Sequence, residues 1–121
     1  MKHNFSLMVA QSNPILGNVN HNVGRVQELH RQACIEKVDL LALPEMFLTG
    51  YQTQDLILKK AFMADVSKSL ITLAVDLKSG PPVLVGGPLY ENDNIYNAYY
   101  LIKDGKYEVV SRKHHLPNTN V

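Results

Sequence analysis

The stretch that most restricts how this chain can fold is Val38-Asp39-Leu40-Leu41-Ala42-Leu43-Pro44-Glu45, where an apolar run ends at a proline followed at once by a carboxylate. A short apolar run without polar alternation is the pattern of a strand buried on both faces, as in a parallel sheet. Pro44 has no amide hydrogen and biases Leu43 toward extended backbone, so the strand stops there and its C-terminal end delivers Glu45 to a loop. In open α/β sheets that is the edge where ligands are met. With Leu43, Met46, Phe47 and Leu48 around it, Glu45 is expected to lose hydration. Its pKa should then rise toward neutrality, where a carboxylate takes up and returns protons.

The other elements order themselves around this strand. Residues 5–11 read as a first strand, bounded by Ser12-Asn13-Pro14. Asn18 or Asn20 caps a helix running to about Lys37. Along it Val23, Val26, Leu29, Ala33, Cys34 and Ile35 recur mostly at three- and four-residue steps, with Arg25, Glu28, Arg31 and Glu36 turned outward. Gln52-Thr53-Gln54-Asp55 offers caps for a short helical turn through Leu58. A second amphipathic helix is expected over 61–77, with Phe62, Val66, Leu70, Leu73, Ala74 and Leu77 inward, ended by Ser79-Gly80-Pro81-Pro82. Val83-Leu84-Val85 with Gly86-Gly87-Pro88 reads as the third core strand, its glycines permitting close backbone approach near Glu45. Residues 96–102 and 107–111, joined by Lys103-Asp104-Gly105-Lys106, form a hairpin with an Asp-Gly turn. The order β-α-β-α-β-β-β, without repeat or linker, is that of one α/β domain or part of one.

Charge excludes some functions. Twelve basic against 11 acidic side chains leave a net charge of +1, spread along the chain, so nothing marks a nucleic-acid or membrane surface. Cys34, the single cysteine, has no internal disulfide partner, and no basic segment followed by an apolar one opens the chain, which reads as cytoplasmic. Cys34 falls on or beside the buried stripe of its helix, where a small thiol packs without chemistry. His114 and His115 are adjacent on a strand and face opposite ways, with no evident third ligand, so no metal is expected. Lys113 stands at a strand end where a neighbouring strand's carboxylate can meet it.

Together, Leu43-Pro44-Glu45-Met46-Phe47-Leu48-Thr49-Gly50-Tyr51 and Arg112-Lys113-His114-His115-Leu116-Pro117-Asn118, with Gly86-Gly87-Pro88 and Tyr96-Asn97-Ala98 between them, resemble the nitrilase (carbon-nitrogen hydrolase) superfamily over the whole chain. Leu48-Thr49-Gly50-Tyr51 through Asp55-Leu56, with Leu116-Pro117-Asn118, resemble more closely its glutaminase branch, the amide-hydrolysing domain of glutamine-dependent NAD synthetases. The resemblance implies the N-terminal part of a nitrilase-type α-β-β-α sandwich, residues 1–121 forming the first part of the glutaminase domain and any synthetase domain lying beyond. It also implies a Glu-Lys-Cys triad, with Glu45 as general base and acid and Lys113 stabilising the oxyanion. The nucleophilic cysteine is not in this chain, because Cys34 precedes Glu45 on a helix and matches nothing in the motif; the chain alone is expected to be inactive.

Tyr51 and Thr119 are the implied substrate-binding residues. Thr119 stands where NAD synthetases carry a tyrosine that contacts glutamine; it keeps a hydrogen-bonding hydroxyl and loses aromatic packing. Glutamine is the implied substrate and a homo-oligomer the implied full-length state. No cofactor belongs to this portion, while ATP and magnesium belong to the downstream synthetase domain. Two other readings stay open: part of a stand-alone amidase or nitrilase, and a non-catalytic α/β binding module that keeps Glu45 and Lys113 as a structural ion pair.

Overall fold

The computed structural model describes residues 4–10, 14, 18–49, 60–92 and 94–114. In chain order the elements are β1 (Leu7–Val9), α1 (Val19–Glu36), β2 (Leu40–Ala42), α2 (Lys60–Asp76), β3 (Val83–Glu91), β4 (Asn94–Lys103) and β5 (Lys106–His114). The five strands form one sheet in the order β1-β2-β3-β4-β5. The first three run parallel, with Leu7 beside Leu40 and Leu41 beside Val83, and the last two are added antiparallel. Parallel crossovers are right-handed almost without exception, and β1, β2 and β3 advance in one direction across the sheet, so both helices must land on the same face. There α1 and α2 pack on each other.

The core lies between that helix layer and the sheet. Val26, Leu29 and Ala33 of α1 and Val66, Leu70, Leu73 and Ala74 of α2 meet Leu41, Val83, Val85, Ala98, Tyr100 and Ile102. Asn18 caps α1, its Oδ1 accepting from the amide of His21 at 3.0 Å. At the other end Lys37 takes the left-handed conformation at φ 56°, and the amides of Lys37 and Val38 reach back to Cys34 and Ala33. The inner face of α1 differs from expectation. Asn22 and His30 are buried with Val19, Val26, Leu29 and Ala33, whereas Cys34 and Ile35 are exposed. The stripe turns through Ala33, and the next two residues rotate away in 100° steps.

β3 runs through Gly86-Gly87-Pro88 as read from sequence and continues to Glu91, because β4 pairs with it from Val83↔Ile102 to Glu91↔Asn94. Cross-strand pairing overrides the poor local propensity of glycine and proline. Asp104 and Gly105 both have positive φ, 54° and 79°, which gives the hairpin a primed turn matched to the sheet twist. Tyr100 is buried, and its hydroxyl donates to the Pro88 carbonyl at 2.8 Å. Burial, reinforced by the neighbouring Tyr107, pushes that phenol well above its usual range. Among the described residues no helix is long and apolar enough to cross a membrane.

Candidate active site

The loop after β2 is fastened before it presents any chemistry. Leu43 donates to Leu84 of β3 at 2.8 Å, extending the parallel ladder by one residue beyond β2. Residues 45–49 then turn, with Met46 at φ 54°, and Leu48 donates to Gly86 at 3.0 Å. From α1, the buried amide of Asn22 donates to the Leu48 carbonyl at 3.0 Å, satisfying a backbone group out of reach of water. Gly86 is required by space. A Cβ there would stand 2.7 Å from Glu45 Cα and press on the Met46 amide, and both are backbone atoms that cannot swing aside.

This anchoring changes the expected surroundings of Glu45. Leu43, Met46, Phe47 and Leu48 are buried and turned into the protein. The Glu45 side chain, by contrast, keeps 35% of its surface exposed. Polar groups meet it: Lys113 Nζ donates to Oε2 at 3.1 Å and Asn97 Nδ2 donates to Oε1 at 3.1 Å. An ammonium and an amide donor both favour the ionised carboxylate, opposing the apolar enclosure that the flanking sequence suggests.

Lys113 and Asn97 come to the same carboxylate because they are cross-strand partners on β5 and β4 and so share a face of the sheet. That pairing depends on a bulge. Tyr100 pairs with Val109 but Tyr99 with Ser111, so Val110 is an extra residue in β5. Beyond it every β5 side chain has changed partner by one position. Lys113 thereby stands beside Asn97, and Arg112 stands beside Ala98 and pairs with Glu91 at 3.2 Å.

Of the expected site residues, the fold therefore brings Glu45 and Lys113 together across 68 positions of sequence. Tyr51 and Thr119 lie outside the described residues, as do the turn over 52–58, His115 and Leu116-Pro117-Asn118. Cys34 is elsewhere. It approaches Gly80, which precedes β3, whereas Glu45 sits beyond the C-terminal end of β2, so the thiol and the carboxylate occupy opposite ends of the parallel strands. Its contact is His30 Nδ1 at 3.8 Å, while His30 Nε2 lies 3.0 Å from the Pro81 carbonyl. A carbonyl only accepts, so Nε2 carries the hydrogen in this contact.

Two polar residues of the site were given no individual role from sequence, although Asn97 stood in the Tyr96-Asn97-Ala98 segment that carries the family resemblance. Asn97 lies mid-strand, where asparagine is disfavoured unless something rewards it. Asn22 interrupts an apolar stripe four residues before Val26. Those mismatches, and for Asn97 its place in that segment, were the available signals.

A family profile described as carbon-nitrogen hydrolase matches residues 7–121. The chain is 40% identical over 121 residues to the glutamine-dependent NAD(+) synthetase of Rhodobacter capsulatus, covering 100% of this chain and 22% of that protein. The solved glutamine-dependent NAD+ synthetase from Acinetobacter baumannii, in complex with adenosine diphosphate, superposes with a TM-score of 0.82 at 30% identity, over 97% of this chain and 22% of that one. The glutamine-dependent NAD(+) synthetase from Cytophaga hutchinsonii superposes with a TM-score of 0.83 at 24% identity, over 94% of this chain and 20% of that one, a likeness of fold. The chain thus spans about a fifth of the length of the relatives it matches. Its mixed sheet under a helix layer is the fold of these nitrilase-type neighbours. With the family match running over nearly its whole length, and a carboxylate and an ammonium joined at the C-terminal edge of its parallel strands, this chain belongs to the carbon-nitrogen hydrolase family.

Proposed function

We propose that the chain is the first part of the glutaminase domain of a glutamine-dependent NAD synthetase, where Glu45 and Lys113 take part in releasing ammonia from the glutamine side chain. The observation that carries this reading is the pairing of Lys113 Nζ with Glu45 Oε2 at 3.1 Å. A purely structural purpose is a poor account of it. The two side chains are 64% and 35% exposed, and so solvated an ion pair contributes only roughly 0.2–1 kcal/mol.

In the proposed reaction Glu45 takes the proton of a cysteine thiol supplied from outside this chain, and the thiolate attacks the carboxamide carbon. The Lys113 ammonium offsets the charge that grows on the carbonyl oxygen. Glu45 returns its proton to the departing nitrogen, ammonia leaves and a thioester remains. Glu45 next deprotonates a water that attacks the thioester, and the same proton restores the thiol as glutamate departs. Cys34 is at the far end of the sheet and takes no part, so the chain by itself is expected to release no glutamate. ATP and magnesium act in the amidation of deamido-NAD, a step outside these residues. Tyr51 and Thr119 are assigned to glutamine binding by motif position alone.

The test is NAD formation by Glu45→Gln in the thiol-bearing protein, with glutamine and then with ammonium as nitrogen source. Glutamine-driven synthesis should fall by more than the roughly 10²- to 10⁴-fold typical of one acid-base step, because both half-reactions use the residue. Synthesis from ammonium should persist. Near-normal activity with glutamine removes Glu45 from the mechanism, and loss with both sources removes the coupling to a synthetase.

A further inference from the structure

Asn97 touches Glu45 and is neither an acid, a base nor a cation. Its Nδ2 donates to Oε1 at 3.1 Å, while Lys113 holds Oε2 at the same distance. The two donors differ in kind. Lys113 carries its charge on a long stem in a side chain 64% exposed, and one such contact leaves a carboxylate free to pivot about the bonded oxygen. Asn97 has only two side-chain torsions, is half-buried, and has its backbone paired on both sides, with Pro88 of β3 and Lys113 of β5. A second donor on the other oxygen fixes the plane of the carboxylate.

We propose that Asn97 is a positioning residue for Glu45. Its side-chain amide pins Oε1, sets the orientation from which the carboxylate exchanges protons, and favours the ionised state. This rests on the proposed hydrolytic role of Glu45 and adds how that role is prepared. A donor bonded to the carboxylate form makes the protonated form a readier acid, which suits a group that must hand its proton on to leaving ammonia. Lys113 does the same from β5 with a charge on a long stem, whereas the Asn97 amide is a neutral donor that does not itself titrate.

The experiment follows Glu45 and Asn97 together by NMR in the thiol-bearing protein, labelled with carbon-13 at glutamate carboxyls and nitrogen-15 in asparagine side chains. The Asn97 amide should shift with pH at the midpoint of the Glu45 carboxyl carbon, and that response should vanish in Glu45→Gln. Asn97→Leu, which removes the donor, should raise the Glu45 midpoint by roughly 0.5–1 pH unit, and Asn97→Asp, which places a like charge beside it, by more. In the thiol-bearing protein Asn97→Leu should lower kcat with KM nearly unchanged. An Asn97 amide indifferent to the titration of Glu45 overturns the proposal without requiring any variant to fold. Coupled titration in a protein that proves unable to hydrolyse amides would refute the proposed function and uphold the positioning.

Discussion

At the scale of single residues, the site depends on one missing side chain as much as on those present. Gly86 lets β3 pass directly beneath the backbone of Glu45 and Met46, and a methyl group there would collide with main-chain atoms. Gly86→Ala is therefore expected to destabilise the chain by roughly 1–3 kcal/mol, the usual cost of overpacking, and to displace the Glu45 loop. Urea unfolding read beside the Glu45 carboxyl resonance tests both; an unchanged midpoint and resonance would show that the loop has slack. The same residues show what was legible from sequence. The order proline-then-carboxylate placed Glu45 at the end of a parallel strand, and the paired glycines foretold the close approach. The apolar letters around Glu45 misled, because a sequence does not tell which neighbours the backbone turns inward. Leu43, Met46, Phe47 and Leu48 fill the core, and the carboxylate is met by polar groups from strands over fifty positions away.

At the scale of elements, strong periodic signals carried through and pairing geometry did not. The inner stripe of α2 is buried at Val66, Leu70, Leu73 and Ala74, with Leu77 buried just past its end, as the spacing requires, and the Asp-Gly turn closes β4 on β5. The length of β3 and the bulge in β5 had no local signature, since both arise from what a strand lies against. The buried hydroxyl of Tyr100 ties β4 to Pro88 and gives this pairing a pH signature. In the unfolded chain a tyrosine ionises near pH 10, whereas burial keeps the folded phenol protonated to higher pH. Above about pH 10 the unfolded state binds fewer protons than the folded one, so stability falls as pH rises; below it the two states match and the contribution is flat. Tyr100→Phe should be less stable by about 1 kcal/mol at neutral pH and should lose part of the alkaline decline. Thermal unfolding from pH 8 to 11 decides it, and identical slopes for both proteins would exclude Tyr100 as the cause.

At the scale of the whole molecule, the sheet has one face under helices and another that the described residues leave open. Phe5, Leu7 and Val9 at the β1 edge and Val110 on β5 are large apolar side chains substantially exposed. An apolar surface beside a strand edge invites association, so the isolated chain is expected to self-associate at micromolar concentrations. Phe5→Lys with Val9→Lys should shift it toward monomer in sedimentation velocity, and a wild-type monomer that stays so on concentration would show the face to be harmless. The bulge at Val110 has a reach that its size conceals. It works as a register setting: whether Val110 stands out of the ladder or joins it determines which cation arrives beside Asn97. Were Val110 to pair with Tyr99 instead of standing out of the ladder, Arg112 would come beside Asn97 and Lys113 would move opposite Tyr96 on the other face, with no change of sequence. In this sheet the identity of the cation at Glu45 is written in the register of β5, so a slip of one residue that irons out the bulge would dismantle the site while every one of its side chains remained.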